Sequence, residues 1–88
     1  MKKITEAHLD ALVLILNKET KSPIAPYVRM GDKLTAQIGN YHLDYTYGGV
    51  SLCRMMNESG GITTVFSCTS KRDCAEKLNA FINGLRSL

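Results

Sequence analysis

Long hydrophobic runs are missing from this chain of 88 residues. Its longest uninterrupted apolar stretch extends only from Ala11 to Leu16, whereas a helix that spans a bilayer needs about 20 largely apolar residues. No small-residue cleavage site of the kind that ends a secretory signal peptide accompanies this stretch. We therefore expect neither membrane insertion nor export.

Cysteine is scarce, and its spacing forms no motif. An odd number leaves one of Cys53, Cys68 and Cys74 unpaired in any disulfide scheme. Together with the missing signal peptide, this favours a reducing cytoplasm and free thiols in the core. Even with His8 and His42 included, the Cys-x-x-Cys and His-x-x-x-His spacings that organise zinc are absent from the sequence. We expect no metal site.

Strong catalytic signatures are missing as well. His42 and Asp44 lie two residues apart on a predicted strand and so point to the same side. Cys53 on a neighbouring strand could complete a set of nucleophile, base and orienting acid. No nucleophile motif or oxyanion loop surrounds them, and neither Gly48-Gly49 nor Gly60-Gly61 belongs to a phosphate-binding loop. We expect a non-enzymatic protein without a small-molecule cofactor, and keep a cysteine-histidine enzyme as an alternative.

Charge of one sign does not dominate the chain. Eleven lysine and arginine residues oppose eight aspartate and glutamate residues, which gives a formal charge of +3. Such a mild excess permits nucleic-acid binding without indicating it. A hydrophobic fraction of 44% suits one soluble domain with one core. We assign this domain to residues 1–88 and expect residues 1–4 to fray.

A helix is predicted at each end of the chain. Thr5 can cap the first, which runs to about Thr20. Its main apolar stripe contains Leu9, Leu12, Val13 and Leu16. A second apolar sector on nearly the opposite side contains Ala7, Ala11, Leu14 and Ile15. Either a loop or the second helix covers this sector, or it is a surface for self-association or for a partner.

The final helix begins after Ser70. Asp73 completes a capping-box arrangement with Ser70 and can pair with Lys77 one turn later. The helix presents a single narrow apolar stripe, formed by Cys74, Ala75, Leu78, Phe81, Ile82, Leu85 and Leu88. It is therefore expected to pack on one surface only.

Between the helices, alternation of apolar and polar residues predicts strands. Residues 21–32, which contain Pro23 and Pro26, are predicted to be a wrapped connection that ends in a turn at Gly31-Asp32. A strand with Leu34, Ala36 and Ile38 on its buried face follows. Gly39-Asn40 then predicts a tight hairpin turn into the next strand.

That next strand has two rows of side chains. Tyr41, Leu43, Tyr45 and Tyr47 form the inward row, and His42, Asp44 and Thr46 form the outward row, which is expected to share the helix-free face with Thr35 and Gln37. Gly48-Gly49 is either a turn or a bulge in one long strand. Residues 50–56 and 62–66 are predicted to be further strands, separated by a loop at residues 57–61. The expected fold is α+β, in the order α-β-β-β(-β)-α, with a curled antiparallel meander and two terminal helices packed on it.

The α-β-β-β-α order is similar to that of the double-stranded RNA-binding domain. In that family the second helix starts with a basic cluster, which the segment 70–77 partly resembles. The resemblance implies phosphate contacts from Lys71, Arg72 and Lys77. Asp73 and Glu76 interrupt the cluster, so duplex RNA or DNA binding is the alternative function rather than the first.

A second resemblance covers most of residues 23–85. It rests on Ile38-Gly39-Asn40-Tyr41-His42-Leu43-Asp44, Tyr47-Gly48-Gly49, Arg54, Met56-Asn57-Glu58-Ser59-Gly60-Gly61, Lys71-Arg72 and Phe81-Ile82-Asn83-Gly84. This pattern resembles small phage and prophage-encoded proteins of unassigned function. It implies a bacterial cytoplasm and brings no catalytic residues.

We therefore expect a phage or prophage accessory protein that acts as an interaction module on a host or phage macromolecule. A protein partner or a second copy of the chain is favoured over nucleic acid, and no membrane is involved. The candidate surface combines the second sector of the first helix with the outward row, namely Ala7, Ala11, Leu14, Ile15, His42, Asp44 and Thr46.

Overall fold

The computed structural model describes residues 3–46 and 49–87. The elements are α1 (Glu6–Glu19), β1 (Tyr27–Met30), β2 (Lys33–Ala36), β3 (Tyr41–Thr46), β4 (Gly49–Met55), β5 (Ile62–Cys68) and α2 (Lys71–Arg86). This order confirms the α+β class with a helix at each end. It contains five strands, whereas three or four were expected.

Both helices begin where the sequence predicts. The Thr5 hydroxyl accepts a hydrogen bond from the His8 amide at 3.2 Å, and the Ser70 hydroxyl accepts one from the Asp73 amide at 3.1 Å. The Asp73 carboxylate reaches back to the Thr69 amide at 3.0 Å, one residue before the position of a standard capping box. These bonds satisfy amides that a helix start leaves free.

The main sheet is an antiparallel meander in the order β3-β4-β5. Both helices pack on one face of it, where Leu43, Leu52 and Phe66 are cross-strand neighbours. The buried core consists of Leu9, Leu12, Val13, Leu16, Tyr41, Val50, Leu52, Cys68, Cys74, Ala75, Leu78 and Ile82. Both predicted helix stripes are thereby confirmed, apart from Leu88, which lies outside the described residues. Burial of these side chains is the main favourable term in folding.

A bulge interrupts the pairing between β4 and β5. Leu52 is opposite Phe66, but the next residue, Cys53, is opposite Thr64, so Val65 is the extra residue on β5. An extra residue bends the strand and increases its twist locally.

The predicted connection at residues 21–32 contains a strand that the sequence did not indicate. Tyr27–Met30 forms β1, which pairs with β2 through the two-residue turn Gly31-Asp32. Gly31 has φ of 65°, a conformation that glycine adopts without a steric penalty. All four side chains of β1 are exposed, so no alternation of burial marks the strand in the sequence. We call β1 and β2 together the hairpin arm.

The prediction that β2 pairs with β3 is wrong. Gly39-Asn40 does form a turn, in which the Asn40 amide bonds to the Gln37 carbonyl at 3.2 Å. The Gly39 amide then bonds to the Met55 carbonyl at 2.8 Å, which directs the chain toward β4. β2 pairs with β1 in a sheet separate from that of β3. Thr35 and Gln37 therefore do not share a sheet face with His42, although the sequence had suggested that they would.

β3 and β4 are separate strands. Thr46 pairs with Gly49, the first residue of β4, so the chain reverses direction between them and does not continue as one long bulged strand. The predicted inward residue Tyr47 and its neighbour Gly48 lie outside the described residues. Cys53 is buried, as expected of the three cysteines, but it lies with the buried Met55 on the helix-free face, which was expected to be solvated. Across residues 3–46 and 49–87, no helix is both long and apolar enough to span a bilayer.

Candidate functional site

A groove of about 370 Å³ lies between α1, the edge strand β3 and the connection that leads to the hairpin arm. It is lined by Asp10, Val13, Leu14, Asn17, Ile24, Pro26, Tyr41, His42, Leu43 and Tyr45. We call it the α1-β3 groove. Leu14 comes from the second sector of α1 and His42 from the outward row of β3, so the structure brings residues from both parts of the predicted surface to one place.

Asn17 attaches α1 to the edge of the sheet. Its side chain is 1% exposed. Its Oδ1 accepts a hydrogen bond from the Tyr41 amide at 2.9 Å, and its Nδ2 donates one to the Tyr41 carbonyl at 3.0 Å. The side-chain amide therefore occupies the position that the backbone of a neighbouring strand would take.

The two bonds to Asn17 also fix the direction of the other backbone groups in β3. In an antiparallel pair, the N–H and C=O groups of one residue both point toward the partner strand, and those of the next residue both point away from it. Since Tyr41 points its N–H and C=O away from β4, Leu43 and Tyr45 do the same. Within the described part of the chain, no group bonds to these N–H and C=O groups. They form an open stretch of sheet edge beside the groove.

The groove wall is largely apolar and accessible. Leu14 is 39% exposed and Ile24 is 52% exposed. Ala7, Ala11 and Ile15 are exposed as well, so neither a loop nor α2 covers the second sector of α1. Only Leu14 of that sector lines the groove. Exposed apolar area of this kind commonly marks a contact surface.

His42 is held in a defined tautomer. The Asn40 Nδ2 donates to the carbonyls of Pro23 and Ile24 at 2.8 and 3.1 Å, which leaves the Asn40 Oδ1 as the acceptor facing His42 Nδ1 at 3.2 Å. The imidazole must therefore donate from Nδ1, and its Nε2 is left as an acceptor. Partial burial lowers the pKa of His42, against the opposing effect of Asp44, so the ring is neutral near pH 7.

Carboxylates lie at the Tyr45 end of the groove. Asp10 lines it, and Glu6 lies one helical turn earlier on the same side of α1. Partial burial raises the pKa of Tyr45, and the nearby carboxylates of Asp10 and Glu6 raise it further. Asp44 is exposed on the helix-free face of β3. The side chain of Thr46, the remaining predicted surface residue, lies outside what the structure describes.

The arrangement considered for an enzyme has unfavourable electrostatics. Cys53 lies directly opposite His42 on β4. Burial raises the pKa of the Cys53 thiol and lowers that of the His42 imidazole. A thiolate-imidazolium pair requires the opposite shifts. In residues 3–46 and 49–87, no three His, Cys, Asp or Glu side chains come together as a metal site.

Sequence reasoning missed Asn17, Asp10, Ile24 and Pro26 as groove residues. Asn17 carries a usable signal, because it follows Val13 by four residues and so extends the buried stripe of α1 with a polar side chain. A polar residue at a core-facing position needs a buried hydrogen-bond partner. Ile24 and Pro26 give no signal, since their place depends on the path of the connection.

The residues proposed for nucleic-acid contact surround the start of α2. Lys71 and Arg72 are exposed. Lys77 has partners within the chain, because its Nζ donates to the Ser67 carbonyl at 2.7 Å and lies 3.3 Å from the Asp73 carboxylate. Hydrogen bonding from the Thr69 amide lowers the pKa of Asp73, so a negative charge is fixed in the same helical turn.

Five strands lie between the two helices, two more than in the α-β-β-β-α order considered from the sequence. Comparison with protein-family models, curated proteins and solved structures finds no match to this chain.

Proposed function

We propose that this chain is a non-enzymatic interaction module that binds a protein partner in the α1-β3 groove. The observation that carries the proposal is the combination of an uncovered apolar wall, formed by Leu14 and Ile24, with the unpaired backbone groups of Leu43 and Tyr45. Concave, largely apolar sites with a few directed polar groups are typical of binding sites. In the bacterial, phage-derived setting that the sequence resemblance implies, the partner is a host or phage macromolecule.

Replacing Leu14 by lysine tests the groove. Leu14 is 39% exposed on a helix surface, so Leu14→Lys should fold, with a change in stability within about 1 kcal/mol. The charge would stand in the apolar wall and should abolish partner binding. The measurement is affinity capture from lysogenic host lysate, with and without nuclease, followed by mass spectrometry and by circular dichroism of the variants.

Leu34→Lys is the matched control. Leu34 is 67% exposed on the hairpin arm and does not line the groove, so the same substitution there should leave binding intact. If Leu14→Lys captures the same proteins as the wild type, the groove is not the binding site. Loss of the captured material on nuclease treatment would favour a nucleic-acid partner instead.

Nucleic-acid binding is a second candidate because Lys71 and Arg72 are exposed at the start of α2, where backbone amides favour anions. Asp73, ionised in the same turn, opposes it. A gel shift of duplex RNA that weakens as salt rises, and that Lys71→Ala with Arg72→Ala removes, would support this function. Absence of any shift at about 50 mM salt with micromolar protein would eliminate it.

A further inference from the structure

We infer that the partner segment is an extended, basic peptide that adds to β3 as a new edge strand of the sheet. This inference rests on the proposed function and deepens it by naming the class of ligand. It is carried by the backbone geometry of β3 and by the charge of the groove.

The open edge has the geometry that strand addition requires. Leu43 and Tyr45 present their N–H and C=O groups on the side away from β4, in the direction that Asn17 occupies at Tyr41. An extended peptide can bond to all of these groups and continue the ladder where Asn17 ends. Asn17 itself sets one limit of the site, because it already occupies the edge at Tyr41.

The opposite edge of the sheet is obstructed. On β5 the Val65 bulge breaks the regular ladder. Lys77 donates to the Ser67 carbonyl at 2.7 Å, so this edge acceptor is occupied and a positive charge stands beside it. Bulges and lysines are common devices against edge pairing. The chain therefore protects β5 and leaves part of β3 open.

The side chains around the open edge determine which residues are expected in the bound peptide. Peptide residues opposite Leu43 and Tyr45 would point to the same face as these residues, toward α1, where Leu14 offers apolar contact and Asp10 offers a negative charge. Residues between them would point to the face of His42 and Asp44. Apolar residues are therefore favoured on the α1 face and lysine or arginine on the face of Asp44, where the free Nε2 of His42 can also accept a hydrogen bond from the peptide.

A second copy of the chain fits this edge poorly. Antiparallel pairing of β3 with its own copy would bring two sets of Glu6, Asp10 and Asp44 into one interface. Like charges placed across a strand pair are destabilising. The negative groove thus favours a basic heterologous peptide over self-pairing.

The test selects ligands from a displayed library of random linear peptides, with the full-length chain as bait. We expect enriched sequences to alternate apolar residues with lysine or arginine. N-methylation of the peptide amides that face β3 should weaken binding about tenfold, since it removes backbone hydrogen bonds and the methyl groups also obstruct the edge. N-methylation of the intervening amides should have little effect.

Variants of the chain complete the test. Tyr45→Pro removes an edge N–H that points away from β4, a position where proline is tolerated, and should weaken binding about five- to tenfold. Tyr45→Ala keeps that N–H and separates the backbone effect from the loss of the ring. If Tyr45→Pro fails to fold, the N-methylated peptides give the same information.

The outcomes separate this inference from the proposed function. Binding of the selected peptides that is lost in Leu14→Lys, but is unchanged by N-methylation and by Tyr45→Pro, would overturn strand addition. The groove would then remain a protein-binding site. Enrichment of acidic sequences, or of none, would overturn the inference, and the lysate experiment would still judge the proposed function. A dimer in solution that Tyr45→Pro dissociates would show that a second copy occupies the edge.

Discussion

At the scale of single residues, Asn17 connects the core to the groove. Its polar side chain is buried among the apolar residues of α1, and both of its hydrogen bonds go to the Tyr41 backbone. Replacement leaves two buried backbone groups without partners. Such groups destabilise the folded state, because they lose their hydration on burial and form no hydrogen bond in return.

We expect Asn17→Ala to lower the free energy of unfolding by about 2 kcal/mol or more. For a domain of this size that corresponds to a fall in Tm of about 10 °C. Thermal unfolding followed by circular dichroism measures it. Asn79→Ala is the control, because Asn79 is exposed and bonds only within α2, and its Tm should change little. Equal Tm values for the two variants would mean that Asn17 is not a structural attachment.

At the scale of elements, the sequence predicts the parts whose cause is local. Thr5 and Ser70 cap the helices, and the apolar stripes of α1 and α2 identify the buried faces. The hairpin arm could not be predicted in the same way. Its side chains are largely exposed, so its stability comes from backbone pairing and from the Gly31 turn, which leave no periodic burial signal. Two of the ten groove residues, Ile24 and Pro26, come from the connection just before β1, and their place in the groove depends on the path of that connection.

The hairpin arm should open independently of the core. Met30 is 64% exposed and Leu34 is 67% exposed, so opening the arm exposes little additional apolar surface. We expect amides in β1 and β2 to exchange with solvent at least about 100-fold faster than those of β4 in hydrogen-exchange NMR, which corresponds to about 3 kcal/mol between local and global opening. Equal protection in the arm and in β4 would show that the arm unfolds only with the whole domain.

At the scale of the whole molecule, the two helices and the sheet form one compact α+β domain with asymmetric charge. The formal charge of the chain is +3, yet Glu6 and Asp10 stand together near Tyr45 at the groove. The order of charged residues along the sequence did not reveal this grouping. It arises because β3 lies next to α1 in the folded chain.

The free chain should therefore sediment as a monomer of 9.7 kDa at micromolar concentration and moderate salt. Repulsion between two negative grooves opposes pairing through β3, and it should weaken as salt rises. Sedimentation equilibrium at low and high salt, for the wild type and for Asp10→Asn, measures both effects. A concentration-dependent dimer at low salt would contradict the assigned role of these carboxylates.

The difference between the two sheet edges also determines stoichiometry. With β5 obstructed by Val65 and Lys77, the sheet has one site at which a strand can be added. Once a peptide occupies that site, the free edge of the sheet is formed by the peptide strand and no longer by β3. Under the proposed strand addition, the β3-β4-β5 sheet is therefore monovalent. This sheet would hold one segment at a time, could not extend by successive addition at both edges, and would limit the growth of an assembly whose terminal strand it captured.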